Sequence, residues 1–426
     1  MKYAFKNGII LDGTKDMKPV TGKTILVNEG KIADIIDGDV VDADYEVIDL
    51  NGAYIMPGLI NMHVHLAGNG KPQKKQRDNE KLVRMIFSNP VTTQVAYKLV
   101  KNYAKLELLS GVTTIRTVGG LKNLDTVVRN RINKGKLTGP RIVAANEGIS
   151  VPGGHMAGSV AICAGSIEEA KEHVDALKRQ GADLVKLMIT GGVMDAKKKG
   201  VPGEMKMDPQ MIKEVCEYAH SLGYKVAAHV ESSAGVKAAL ENGVDSIEHG
   251  ARPDEEIIEL FKKRNAILVT TLSPALPYAL FDRSISNATE VEQYNGNVVF
   301  EGIIECAKAA LANDIPVGLG NDVGCPWISQ YDFWRELVYF HKYIGVSNNF
   351  ALHTATEGNA KLLGLGDVTG TIAKGKSADM IVCEKNPLED LSVLRNLSMV
   401  MTRGKLIRNP SFRKKPILKE NLDKYL

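Results

Sequence analysis

The sequence predicts an α/β protein: a closed (β/α)8 TIM barrel joined to a small composite β-sandwich domain built from both termini. Three observations predict it. Residues 57–368 alternate apolar strand segments with amphipathic helical ones, the pattern of a parallel sheet with crossover helices. Residues 1–56 and 369–426 read instead as short strands and tight turns; neither end is long enough to bury a core alone, so the two are expected to pair. Eight strand segments can be counted, with the one before His63 as the first, and eight is the number that closes such a barrel.

The elements follow in chain order. Residues 4–10 end in the turn signal Asp12-Gly13, and residues 24–27 run into Asn28-Glu29-Gly30-Lys31, a hairpin-like turn, before 32–36 return. The apolar run from Tyr54 to Met62 leads into His63-Val64-His65. Strands two and three are residues 113–117 and 141–144. Ser166-Ile167-Glu168-Glu169 is a capping box that opens a helix to Gln180, with Gly181 at its end. Strand four is 184–189. Asp208-Pro209 supplies an N-cap and a first-position proline, and Gly223 closes that helix. Strands five to eight are 225–229, 245–249, 266–271 and 315–320. The tail returns to β-character: 370–376 precedes 378–382, and 399–407 forms a further hairpin.

The bulk composition narrows the function classes. Hydrophobic residues make up 44% and charged residues 24% of the chain, ordinary for a soluble globular protein. A net charge of +4 is small for 426 residues and argues against a nucleic-acid partner. The densest basic run within the fold, Lys197-Lys198-Lys199, reads as a solvated loop. No signal-peptide core and no run near the ~18 apolar residues of a membrane span is present, so no membrane partner is expected. Five scattered cysteines, odd in number and without Cys-x-x-Cys spacing, fit a reducing cytoplasm; Cys325, just past Asp322, is placed to border the site.

The chemistry lies in polar residues at strand ends. His63 and His65 stand two apart, so both point to one face of a strand and can reach one ion. Lys186 interrupts apolar strand four, His229 ends strand five, His249 ends strand six and Asp322 follows strand eight. All fall at the C-terminal rim, where barrel active sites lie. Lys186 has two readings, because an unpaired buried ammonium is strongly disfavoured. It is either paired with a rim carboxylate, or neutral and converted by carbon dioxide to an anionic carbamate with two oxygens able to bridge two divalent ions. Taken singly, His229 or His249 reads as a hydrogen-bonded core histidine and Asp322 as a helix cap. Six such residues at matching strand ends point to a metal centre.

On these motifs, His63-Val64-His65, Lys186, His229, His249 and Asp322 in that order, the chain resembles the amidohydrolase superfamily over nearly its whole length. Within it, the stretches 111–116, Gly153-Gly154-His155, Thr190-Gly191-Gly192 and 246–250 are similar to the imidazolonepropionase-like and Xaa-Pro dipeptidase (prolidase-like) branch. The resemblance implies two divalent ions, zinc by default, with His63, His65 and Asp322 on the more buried one and His229 and His249 on the second. It implies that carboxylated Lys186 and a hydroxide bridge them, and that Asp322 acts as general base and then acid. The expected reaction is hydrolysis of a C–N bond in a small substrate such as a dipeptide or N-acyl amino acid. A homo-oligomer is expected.

Substrate contacts are assigned more coarsely. The resemblance gives His155 a contact to the substrate carbonyl or carboxylate; the other reading is a loop histidine with a structural hydrogen bond. Arg116 either binds a substrate carboxylate in a fork or pairs with a barrel acid. Tyr278 and Arg283 lie in the long rim segment after strand seven. Two departures stand out. Gly320-Asn321-Asp322 replaces the branch's usual Gly-Thr-Asp, and Val230-Glu231-Ser232 follows His229 where dipeptidase relatives often carry a tyrosine. Glu231 is read as a contact for a cationic substrate group or as a support for a histidine. The competing function is a mononuclear heterocycle deaminase or cyclic amidase on the same barrel. Deaminases generally lack the bridging lysine and place a glutamate where Ser232 stands, which favours hydrolysis. A phosphotriesterase or lactonase and a non-catalytic scaffold are weaker readings.

Overall fold

The two termini form one small domain because each supplies only part of its sheets. The computed structural model describes residues 2–39, 41–72 and 78–426. Strands Tyr3–Lys6, Lys23–Asn28, Lys31–Asp37 and Glu46–Asp49 make a four-stranded sheet. Its hairpin turns at Glu29 (φ 50°) and Gly30 (φ 78°), two left-handed residues in succession, as a type I′ turn requires. Gly30 is also fixed by space, since a Cβ there would lie 2.9 Å from the Arg403 carbonyl oxygen. The second sheet mixes both ends of the chain: Met380–Cys383 pairs antiparallel with Tyr54–Pro57 on one side and with Met399–Thr402 on the other. Tyr3, Phe5, Ile25, Val27 and Ile48 of the first sheet share one core with Ile55, Met380, Val382 and Met401 of the second. That shared core makes a sandwich.

The barrel strands are β1 (Leu59–Val64), β2 (Val112–Thr117), β3 (Arg141–Ala144), β4 (Val185–Met188), β5 (Val226–Val230), β6 (Ser246–His249), β7 (Ile267–Thr270) and β8 (Val317–Leu319). Neighbours pair in parallel from β1 to β3 and from β4 to β8. The seam between β3 and β4 is spanned by an Asp183 N–H donating to the Ala144 carbonyl at 2.7 Å. The ring closes between β8 and β1, where Asp322 N–H donates to the His63 carbonyl at 3.0 Å and Val64 bridges Val323.

Three features differ from the sequence expectation. The run from Tyr54 to Met62 is not one strand: it divides at Gly58, with Tyr54–Pro57 in the sandwich and β1 in the barrel. Gly58 is the pivot because a Cβ there would meet the Thr113 side chain of β2 at 2.2 Å. After β3 the chain makes an unexpected parallel excursion, Gly148–Ser150 with Ala161–Cys163, and His155 lies in the loop between them. Finally, the end of the chain leaves the sandwich. Helix Pro416–Leu422 buries Leu418 and Leu422 in the main core, Lys415 N–H donates to the Tyr331 hydroxyl, and the Tyr425 hydroxyl donates to the Leu280 carbonyl.

The helix signals hold in detail. Ser166 accepts from Glu169 N–H, and Gly181 takes the left-handed C-cap at φ 70°. Glu169 completes the turn by accepting from Gly165 N–H instead of from Ser166 N–H, so the box is offset by one residue. Asp208 accepts from Gln210 N–H with Pro209 at the first position. Among the described residues, no helix is long and apolar enough to cross a membrane.

Candidate active site and metal centre

The C-terminal ends of β1, β5, β6 and β8 bring the predicted residues together. Ring centroids stand 5.2 Å apart for His63 and His65, 4.9 Å for His63 and His249, and 4.7 Å for His229 and His249. Asp322 joins them, with Oδ1 3.1 Å from His65 Nε2 and 3.4 Å from His63 Nε2. His249 (φ 68°) and Asp322 (φ 53°) both adopt left-handed backbone, unusual for residues other than glycine and concentrated at functional sites. Gly320 makes the approach possible, since a Cβ there would sit 2.4 Å from His63 Cβ.

Three of the imidazoles are oriented by a bond to Nδ1, which leaves Nε2 for another partner. His63 Nδ1 meets Glu248 Oε2 at 2.8 Å, His65 Nδ1 meets the Gly119 carbonyl at 2.8 Å, and His249 Nδ1 meets Thr271 Oγ1 at 2.6 Å. Burial pushes His63 down to about 4 and holds His229 and His249 well below the usual imidazole range. All three are therefore neutral at pH 7, the form that ligates metals. Burial disfavours charge on Asp322, but His63, His65 and His249 outweigh it and hold the carboxyl well below its ordinary value.

Lys186 is 1% exposed, and its Nζ has no hydrogen-bond partner among the described residues. Burial lowers its amine to about 8, against the pull of Glu248 and Asp322. Pairing with a rim carboxylate, the first of the two readings, is not what the geometry shows. His63, His249 and Asp322 offer donor atoms that lie within 4.8 Å of one another, and so do His229, Glu231 and His249. Neutral imidazoles, carboxylates and an orphaned amine in one buried space fit divalent ions.

Arg116 lies inside the barrel, 4% exposed. Its Nη2 donates to both oxygens of Glu248 (2.6 and 2.7 Å), its Nε to the Met62 carbonyl (2.7 Å) and its Nη1 to Ser246 Oγ (3.2 Å). The guanidinium is thus taken up by a barrel acid, and no fork is left for a substrate carboxylate. Glu248 joins Arg116 to His63; burial raises its carboxyl, but Arg116, His63 and Lys186 overcome that and hold it far below the ordinary value.

His155 stacks on His229 (centroids 4.1 Å, planes 8° apart), and its Nδ1 meets Asp195 Oδ2 at 2.5 Å. Gly192 fits between the two sides of the pocket: a Cβ there would be 3.2 Å from His155 and 3.3 Å from Glu231. Glu231 is half-buried, and its Oε2 accepts from Val193 N–H at 3.1 Å. Burial first, then the charges of Asp322 and Asp195, push its carboxyl up to about 8. Tyr278, on the short helix Leu276–Leu280, is half-buried, with burial and then Cys325, Glu292 and Glu231 raising its phenol. Cys325 is close enough to Asp322 and Glu231 for both to raise its thiol, after burial. Arg283 is exposed, and Lys199 of the basic run pairs with Glu290.

Glu248, Asp195, Thr271 and Asp125 were not singled out from the sequence. Asp125, fully buried near His65, has its carboxyl pushed by burial to about 6 from 3.8. A carboxyl raised on folding costs stability progressively as pH rises from about 4 to 6, and the cost is full above that, about 3 kcal/mol. Asp125→Asn should therefore raise the melting temperature at pH 8 and barely change it at pH 4. Equal shifts at both pH values would show that this carboxyl is not perturbed.

An eight-stranded barrel with a histidine-rich donor set at its C-terminal rim places a candidate divalent-metal site where barrel active sites lie. The amidohydrolase family model matches residues 54–407, and the chain belongs to that family. It is accordingly a hydrolase of carbon–nitrogen bonds. The chain is 26% identical to ochratoxinase of Aspergillus niger over 393 residues, covering 84% of this chain and 76% of that protein. A dihydroorotase of Bacillus thuringiensis is 39% identical over 75 residues, 18% of this chain and 17% of that one. A solved structure assigned as a prolidase from Bifidobacterium longum superposes with a TM-score of 0.86 at 32% identity, covering 99% of this chain and 98% of that one. A Xaa-Pro dipeptidase with methionine in its active site gives 0.82 at 29% identity, covering 96% and 100%.

Proposed function

We propose that the protein is a binuclear metal-dependent amidohydrolase that cleaves the amide bond of a dipeptide or N-acyl amino acid. The observation that carries this reading is the partnerless, buried Lys186 amine, near enough to His63, His229, His249 and Asp322 to interact with each. The likeness to a Xaa-Pro dipeptidase supports the substrate class. His63, His65 and Asp322 would hold one ion and His229 and His249 the other, and Lys186, once converted to a carbamate, would supply an anionic ligand to both. When bound, two zinc ions supply a Lewis acid for the scissile carbonyl and lower the pKa of the attacking water.

The chain's own groups do the rest. Asp322 is ionised in the resting site, so it can take a proton from the attacking water and deliver it to the leaving nitrogen. With Nδ1 tied to Asp195, His155 has Nε2 left to meet the substrate carbonyl or carboxylate. Glu231 and Tyr278, which interact with each other, are assigned to the substrate side of the site. The products are a carboxylate and an amine. Ser232, where a deaminase would place its glutamate, is spent on capping helix Ser233–Glu241. All five cysteines are free, which supports a reducing cytoplasm.

The test is a panel of dipeptides, N-acyl amino acids and cyclic ureides against zinc-loaded protein. We expect amine release from the first two classes, with two ions per chain. Ammonia release from a heterocycle, with one ion per chain, would overturn the assignment in favour of a deaminase.

A further inference from the structure

We propose that Glu231 is a further side-chain ligand of the second metal ion, adding a carboxylate to His229, His249 and the share of Lys186. The inference rests on the two-ion reading above. That reading leaves the second ion with only two imidazoles and a share of Lys186, and Glu231 is the donor next to them.

Placement is the first argument. His229 lies in β5 and Glu231 one residue beyond its end, so the spacing of two directs both side chains to one face. His249 enters from β6, the neighbouring strand. One donor atom from each of the three lies within 4.8 Å of the others. Ligands held at about 2.0–2.2 Å from one zinc stand roughly 3–4 Å apart, so a small side-chain rotation brings this set into a ligating geometry.

A donor oxygen without a partner is the second argument. The only hydrogen bond to the Glu231 carboxylate among the described residues is from Val193 N–H, through Oε2. No lysine or arginine of the described residues forms an ion pair with it, so one carboxylate oxygen is left for another partner and the fixed side chains supply no cation.

A substrate amine is the rival cation. The geometry favours the ion because the Glu231 oxygen is grouped with both imidazoles. His249 also belongs to the set with His63 and Asp322, so Glu231 adjoins the cluster of metal donors. A carboxylate reading a substrate amine would stand off from them, toward the mouth. The partners are also fixed in advance, His249 by Thr271 and His229 by the His155 stack, so binding costs little reorganisation.

The experiment is zinc uptake by the full-length protein against buffered free zinc, with wild type and Glu231→Gln compared and total zinc counted by atomic emission. Wild type is expected to take up two ions. Glu231→Gln should keep the first at its original affinity and bind the second at least about 100-fold more weakly, beyond what loss of an outer hydrogen bond produces. Two ions bound by the variant with unchanged affinity would overturn the proposal, above all if only substrates with a free amine lose affinity. A wild type that takes up a single ion would instead remove the two-ion reading on which the proposal stands. If the variant folds poorly, zinc-loaded wild-type crystals decide: a Glu231 oxygen about 2.0–2.3 Å from zinc supports the assignment, and one beyond about 3 Å overturns it.

Discussion

Asp322→Asn should lower kcat by about 10³-fold while zinc content stays near that of wild type. Asparagine keeps the shape of the side chain and one oxygen in place, so a ligating atom survives. It cannot accept a proton, so the transfer from water to leaving nitrogen is lost. The backbone offers no competing explanation. Asp322 has φ 53°, and asparagine is among the few residues that tolerate the left-handed region well. Nor does local packing, because the substitution adds no volume beside Gly320 and His63. The loss should fall on kcat with little change in KM, since the proton moves only on the way to the transition state. Near-normal turnover with a full zinc complement would remove Asp322 from proton transfer and leave it as a ligand alone.

Much of this site was readable because its residues sit at ends of strongly periodic strands. The alternation of strands and helices placed His63, His65, Lys186, His229, His249 and Asp322 on one rim, and their rings and carboxylate do converge. What escaped was set by backbone torsion and by partners far off in the chain. In Ser246-Ile247-Glu248-His249, strict alternation sends Glu248 and His249 to opposite faces. The structure keeps Glu248 fully buried against Arg116, while a φ of 68° at His249 turns its ring into the cluster, and no composition rule announces that torsion. Asp195 lies forty residues from His155 and meets it only through the turn Val193–Asp195. Arg116 had two readings from sequence, and the nearness of Glu248 selects the structural one. Gly58 looked like one more residue of a long apolar strand; its role as pivot depends on Thr113, which belongs to the next barrel strand.

Lys186→Ala should lose most activity, about 10²–10⁴-fold, together with part of the bound zinc, and small carboxylic acids should restore some of both. The argument begins with the amine. At 1% exposure and without a hydrogen-bond partner, an ammonium there would be among the costliest groups in the molecule. Burial brings the amine to about 8, down from its ordinary 10.5, so about a tenth of it is neutral at pH 7 and free to react. A neutral amine can attack carbon dioxide: a nitrogen–carbon bond forms, one proton leaves, and the product is an anion with two oxygens. Such a group meets the need for charge between His63 and Asp322 on one side and His229 and His249 on the other. Truncation to alanine removes those oxygens and opens a cavity the length of a lysine stem. Acetate or propionate can enter it and present two oxygens at the same place, which is why rescue should follow carboxylic acids and saturate with concentration. Small primary amines provide the control. If they restore activity and carboxylic acids do not, the lysine works as an unmodified amine and the carbamate assignment fails. Full zinc content in the variant without any rescue would count equally against it.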